Sequence, residues 1–153
     1  MSRFGIVAVV LVAATMVLLL QGHSGASASP QHSCGLTDRQ FITNYQVQLE
    51  AVGMYGTDYL QGDAKAQDVI NVAQDAARSV RSSAPFDSSL QLVRRYAPAM
   101  FLDYANAVSQ RAAGKNAGRE MYLAYMIGAR VRQVLRDAQP ALAAAGCDVS
   151  GML

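Results

Sequence analysis

The chain has 153 residues, 52% of them hydrophobic and 16% charged, with two cysteines and a formal net charge of +2. That is one domain's worth of sequence, too apolar to stay disordered and too weakly charged to attract phosphate backbones. Two cysteines exclude a disulfide-dense miniprotein, and 12 Gly with 4 Pro exclude a collagen-like repeat.

Residues 1–28 read as a secretory signal peptide. Arg3 supplies the positive start, and Gly5 to Leu20 is a sixteen-residue run without a charge. Ala26-Ser27-Ala28 has the small-x-small form that precedes cleavage. The apolar run falls short of the roughly 20 residues that span a bilayer, which favours a cleaved signal over a retained anchor. Gln31 stands three residues before Cys34, where a lipidated cysteine requires an apolar residue, and no twin arginine is present. The sequence therefore predicts export by the general secretory route, a product secreted or held at the cell envelope, and no stable membrane span after cleavage. Residues 29–153 are the expected single domain. Without Arg3 the 13 basic residues become 12, against 11 acidic, so the domain is near neutral and no nucleic-acid partner is expected. Arg outnumbers Lys 11 to 2, which suggests a GC-rich bacterial coding sequence.

Cys34 and Cys147 lie near the two ends of this domain. In an oxidising compartment they are expected to pair. The chain-entropy model credits a loop of more than a hundred residues with about 4–5 kcal/mol. Nothing resembles the Cys-x-x-Cys of a redox pair.

Between the cysteines the apolar residues recur with helical period. Thr37 and Gln40 have the spacing of a capping box, and Phe41, Tyr45, Leu49, Val52, Gly56 and Tyr59 follow on one face. Gln61-Gly62-Asp63 ends this helix, with Asp63 available to cap the next. The second helix carries the cleanest stripe: Ala66, Val69, Ile70, Ala73, Ala76, Ala77 and Val80. Pro85 ends it. The third begins near Asp87 or Ser88 and turns Leu90, Val93, Ala97, Phe101, Tyr104, Ala105, Val108 and Ala112 inward, with a kink expected at Pro98. Asn116 is the expected cap of the fourth, whose face holds Ala117, Met121, Ala124, Gly128, Val131, Leu135, Ala138 and Leu142. Pro140 should kink its end, and Gly146 is a suitable stop.

Four amphipathic helices with short connections predict an all-α, up-down-up-down four-helix bundle. An even number of antiparallel helices brings Cys34 and Cys147 to one end, so one disulfide can close it.

The chemistry is mostly negative. His23 falls in the signal segment and His32 in the short stretch before Cys34, leaving no histidine in the helical body. A di-iron bundle, a zinc site and a Ser-His-Asp triad all lack their ligands or base. No metal site, resident cofactor or enzyme activity is expected. Arg94, Arg95, Arg119, Arg130, Arg132 and Arg136, with Glu50 or Glu120, are the residues an anion-handling enzyme would use, but no general base stands out among them.

Two positive features remain. Seven Tyr and no Trp occur in the chain, and Tyr45, Tyr59, Tyr104 and Tyr125 are candidates to line a cavity between helices. Such a cavity would suit a carrier of a small apolar or aromatic ligand, such as haem or lipid. Gly53, Gly56 and Gly128 interrupt their helices and could admit a ligand or a close neighbour. The second feature is an apolar run around the whole fourth helix, Met121 to Ile127. Its Tyr122 and Met126, with Val47 and Met54 of the first helix, point away from the core stripes and form a candidate contact patch. The leading expectation is a small secreted, non-enzymatic protein acting through protein contacts, with an unidentified protein partner or a second copy of itself. Ligand carriage is the alternative.

Overall fold

Among the described residues four α-helices form: α1 over Leu36–Gln61, α2 over Ala66–Ser82, α3 over Ser88–Ala112 and α4 over Gly118–Ala144, followed by a 3-10 turn at Ser150–Met152. These come from a computed structural model that describes residues 33–153. The signal-peptide expectation for 1–28, and both histidines, lie outside the described residues.

The helix ends follow local chemistry. Gly62, at φ 88°, stops α1 in the left-handed conformation that favours glycine. Asp87 caps α3, which starts where expected, its carboxylate accepting from the backbone N–H groups of Ser89 at 2.8 Å and Leu90 at 3.1 Å. Three expected caps differ. The N-cap of α1 is Gly35 rather than Thr37, so the capping box does not form. Asp63 does not cap α2; its N-cap is Lys65, whose N–H donates to Asp68 at 3.2 Å. The N-cap of α4 is Ala117 rather than Asn116, whose side chain, one position earlier, accepts from Gly118 N–H at 2.8 Å. Pro98 and Pro140 both sit inside their helices, which continue through them.

Asp38, one residue beyond Thr37, has a different role. Its side chain is buried in the first turn of α1, where a carboxylate suits the helix dipole. One of its oxygens accepts from the backbone N–H groups of Phe86 at 2.6 Å and Asp87 at 3.0 Å. The first turn of α1 is thereby tied to the loop between α2 and α3. A second tie joins the same elements: Asn44 donates to Ser83 at 3.0 Å and accepts from Ser79 at 2.8 Å.

The stripes meet in a common core. Phe41 and Tyr45 from α1, Ala76, Ala77 and Val80 from α2, Leu90, Val93, Ala97 and Phe101 from α3, and Val131, Leu135 and Leu142 from α4 are all buried in it. The rings of Phe41 and Tyr45 lie parallel, and Tyr45 meets Phe101 edge-on at 6.1 Å between centroids. Consecutive helices pack on one another in an up-down-up-down bundle. Small residues allow the close approach: Gly128 of α4 faces the Met100 side chain of α3, whose sulfur would stand 3.1 Å from any added Cβ.

Cys34 and Cys147 are bonded, with their Cα atoms 5.3 Å apart. Beside the disulfide, Cys34 N–H donates to the Ala145 carbonyl at 2.8 Å. The tail then folds back, burying Val149 and Met152 against the same end of α1. Here α1 and α4 are held together. Beyond this end they do not pack closely along their length, and the space between them forms a groove. Among the described residues no helix is long and apolar enough to cross a membrane.

Candidate functional site: an apolar groove between α1 and α4

The groove is floored by α3. One half, of 380 Å³, lies between Leu49, Val52 and Gly53 of α1 and Met121, Ala124 and Tyr125 of α4, over Met100, Phe101 and Tyr104. The other half, of 450 Å³, lies between Tyr59 and Leu60 of α1 and Ala117, Gly118 and Met121 of α4, over Tyr104, Ala107, Val108 and Arg111. Tyr104 and Met121 belong to both halves, so the two are continuous. The lining contains one formal charge, Arg111, and no carboxylate.

Each wall comes from a predicted core stripe that is only partly covered. Leu49, Val52 and Tyr59 continue the α1 stripe beyond Tyr45, yet all three are half-buried. Met121 continues the α4 stripe and is 42% exposed. A helical stripe needs a facing helix to bury it, and here the facing helix stands off.

Of the four tyrosines expected to line a cavity, three do. Tyr104 is half-buried at the centre, Tyr59 is half-buried on the α1 wall, and Tyr125, 63% exposed, stands at the rim. Tyr45 does not. It is 1% exposed and fills the core between Phe41 and Phe101, outside the lining. The physical reason is its distance along α1 from the open end: Tyr45 lies where Phe101 and α4 close over the stripe.

Gly56 explains the position of Tyr104. The Tyr104 hydroxyl lies directly against the Gly56 Cα, in the space a Cβ would fill. Gly53 has no neighbour within 4 Å of where its Cβ would stand, and it lines the groove. The two helix-interrupting glycines thus do different things. One receives a side chain from α3 and the other leaves room. Burial, and then the neighbouring Tyr59, push the Tyr104 hydroxyl above its ordinary value of 10.0. Tyr104 therefore offers the groove a neutral O–H rather than a phenolate.

The expected contact patch is exposed: Val47, Met54, Tyr122 and Met126 are all on the surface. They occupy the outer faces of α1 and α4, away from the residues that line the groove. Met126 borders a shallow depression formed by α4 alone.

The arginines are spread over several surfaces. Arg94 donates twice to the Arg81 carbonyl, at 3.1 and 3.0 Å, which closes the end of α2. Arg130 lies over the Tyr96 ring at 4.7 Å from its centroid. Arg81, Arg94 and Arg95 border an open depression of 690 Å³ whose lining has no acid or base to pair with them. Among the described residues, no group of three or more His, Cys, Asp or Glu comes together as a metal site.

Comparison with family models, curated proteins and solved structures finds no match.

Proposed function

We propose that the protein is a non-enzymatic, exported carrier that binds a small apolar or aromatic ligand, of the class of haem or a lipid, between α1 and α4. The observation that carries this reading is the groove itself. Its walls are continuations of core stripes, left uncovered over two adjoining halves of 380 and 450 Å³. Ordinary small-molecule sites fall in this size range and share the pattern of apolar walls with a few polar groups. Tyr59 and Tyr104 supply hydroxyls, while Met100 and Met121 supply adaptable apolar surface. The disulfide supports an oxidising compartment, because a cross-link at the sealed end persists there.

The test is an equilibrium titration of the purified protein with haem and with an apolar fluorophore such as N-phenylnaphthylamine. Saturable binding of either, lost in Gly53→Leu while the circular dichroism is unchanged, supports the groove. Gly53 suits this purpose because an added side chain meets open space. Binding that survives Gly53→Leu places the ligand elsewhere.

A second reading rests on the exposed Val47, Met54, Tyr122 and Met126. Apolar side chains on outer faces suit a protein partner or a second copy of this chain. Sedimentation of the wild type and of Tyr122→Ser/Met126→Ser would reveal self-association that depends on them.

A further inference from the structure

We infer that the groove takes a free fatty acid, with the carboxylate at the Arg111 end and the acyl chain lying towards Leu49. This rests on the ligand-carrier reading above and names its ligand class.

The argument begins with shape. α1 and α3 run in the same direction along the groove, from Leu49 to Leu60 on one and from Met100 to Arg111 on the other. Eleven residues of helix rise about 16 Å, so the site is a slot rather than a bowl. A slot of this length and modest volume suits one extended chain.

Charge sets the direction. Arg111 is the only formal charge in the lining, and it stands at one end. The opposite end, with Leu49, Val52, Gly53, Met100 and Ala124, carries no charge, and its one added hydroxyl is that of Tyr125 at the exposed rim. Tyr59 lines the half that contains Arg111, and Tyr104 lies between the two halves. A guanidinium with a phenol lining the same half can satisfy one carboxylate, since an anion at such donors forms charge-assisted hydrogen bonds. With no carboxylate in the lining, nothing competes with the ligand for Arg111 there. One cation suits one negative charge better than it suits a phosphate, for which arginines are normally clustered. The apolar chain gains from burial against Met121, Met100 and Leu49, at a rate that scales with each methylene covered.

The experiment compares dodecanoate with dodecanol in displacing N-phenylnaphthylamine from delipidated protein, for wild type and Arg111→Gln. Dodecanoate should bind wild type about fivefold more tightly than dodecanol, the size of a partly exposed ion pair. That advantage should shrink with added salt. Arg111→Gln should remove it and leave dodecanol unchanged. Equal binding of acid and alcohol by the wild type, or an acid preference that survives Arg111→Gln, overturns the inference while leaving the groove as a ligand site. Failure of the fluorophore, haem and both chains to bind would overturn the carrier reading itself.

Discussion

Replacing Gly56 by alanine tests the central packing relation of the site. On an exposed helix position this change stabilises, because alanine exceeds glycine in helix propensity by about 0.8–1.0 kcal/mol. At Gly56 the new methyl would occupy the position of the Tyr104 hydroxyl. The next nearest atom, Tyr104 Cζ, would be 3.4 Å away, which is ordinary contact. The conflict is thus with one oxygen. Forcing an extra methyl into packed space costs about 1–3 kcal/mol. Gly56→Ala should therefore leave stability unchanged or reduce it by up to about 2 kcal/mol, the clash less the propensity gain. In a Tyr104→Phe background the oxygen is gone and the same change should stabilise by about 1 kcal/mol. Gly53→Ala, which meets open space, should stabilise by a similar amount in either background. Urea unfolding followed by circular dichroism gives all these values. The cycle between Gly56 and Tyr104 should show a coupling of about 1–3 kcal/mol. Equal stabilisation by Gly56→Ala and Gly53→Ala in the wild type would refute the reasoning.

Three further outcomes are expected. Cys34→Ser/Cys147→Ser should cost about 2–5 kcal/mol in urea unfolding, because the bond closes a loop spanning 113 residues. Asp38→Ala should cost about 2–3 kcal/mol, since it strands the backbone N–H groups of Phe86 and Asp87, whereas Asp38→Asn should retain part of that stability through its amide oxygen. Burial pushes the Tyr45 hydroxyl well above its ordinary value of 10.0, against a smaller downward pull from Arg132. The folded protein then holds this proton more tightly than the unfolded chain, so stability is full below about pH 10 and falls as pH rises beyond it. Urea midpoints measured across this range should show the decline in wild type and a weaker one in Tyr45→Phe.

Local signals made the helices and the disulfide legible in the sequence. Most of the α2 stripe is buried, at Val69, Ala73, Ala76, Ala77 and Val80, because α2 packs beside two neighbours; Ala66 and Ile70, nearer its start, are half-buried. Asp87 and Gly62 acted through their own backbone neighbourhood, where spacing alone is informative. The groove was not legible. Tyr45 and Val52 belong to one unbroken stripe, yet Tyr45 is sealed and Val52 is half-open. The difference is set by how far α4 stands from α1, which no period in either helix encodes. Met121 was expected to be core for the same reason. Asp38 escaped notice because its partners, Phe86 and Asp87, are nearly fifty residues away, and Thr37 offered a plausible local cap. Tyr59, Tyr104 and Tyr125 could be proposed as lining by residue type. Arg111 could not, because an arginine in the last turn of a helix already suits the dipole.

The most direct measurement is the native mass spectrum of the protein recovered under gentle conditions, compared with that of Gly53→Leu. The account predicts a small molecule that remains bound to wild type, is released on unfolding, and is missing from Gly53→Leu. A bare wild-type chain that also fails to take up haem, fatty acid or the apolar fluorophore would contradict it.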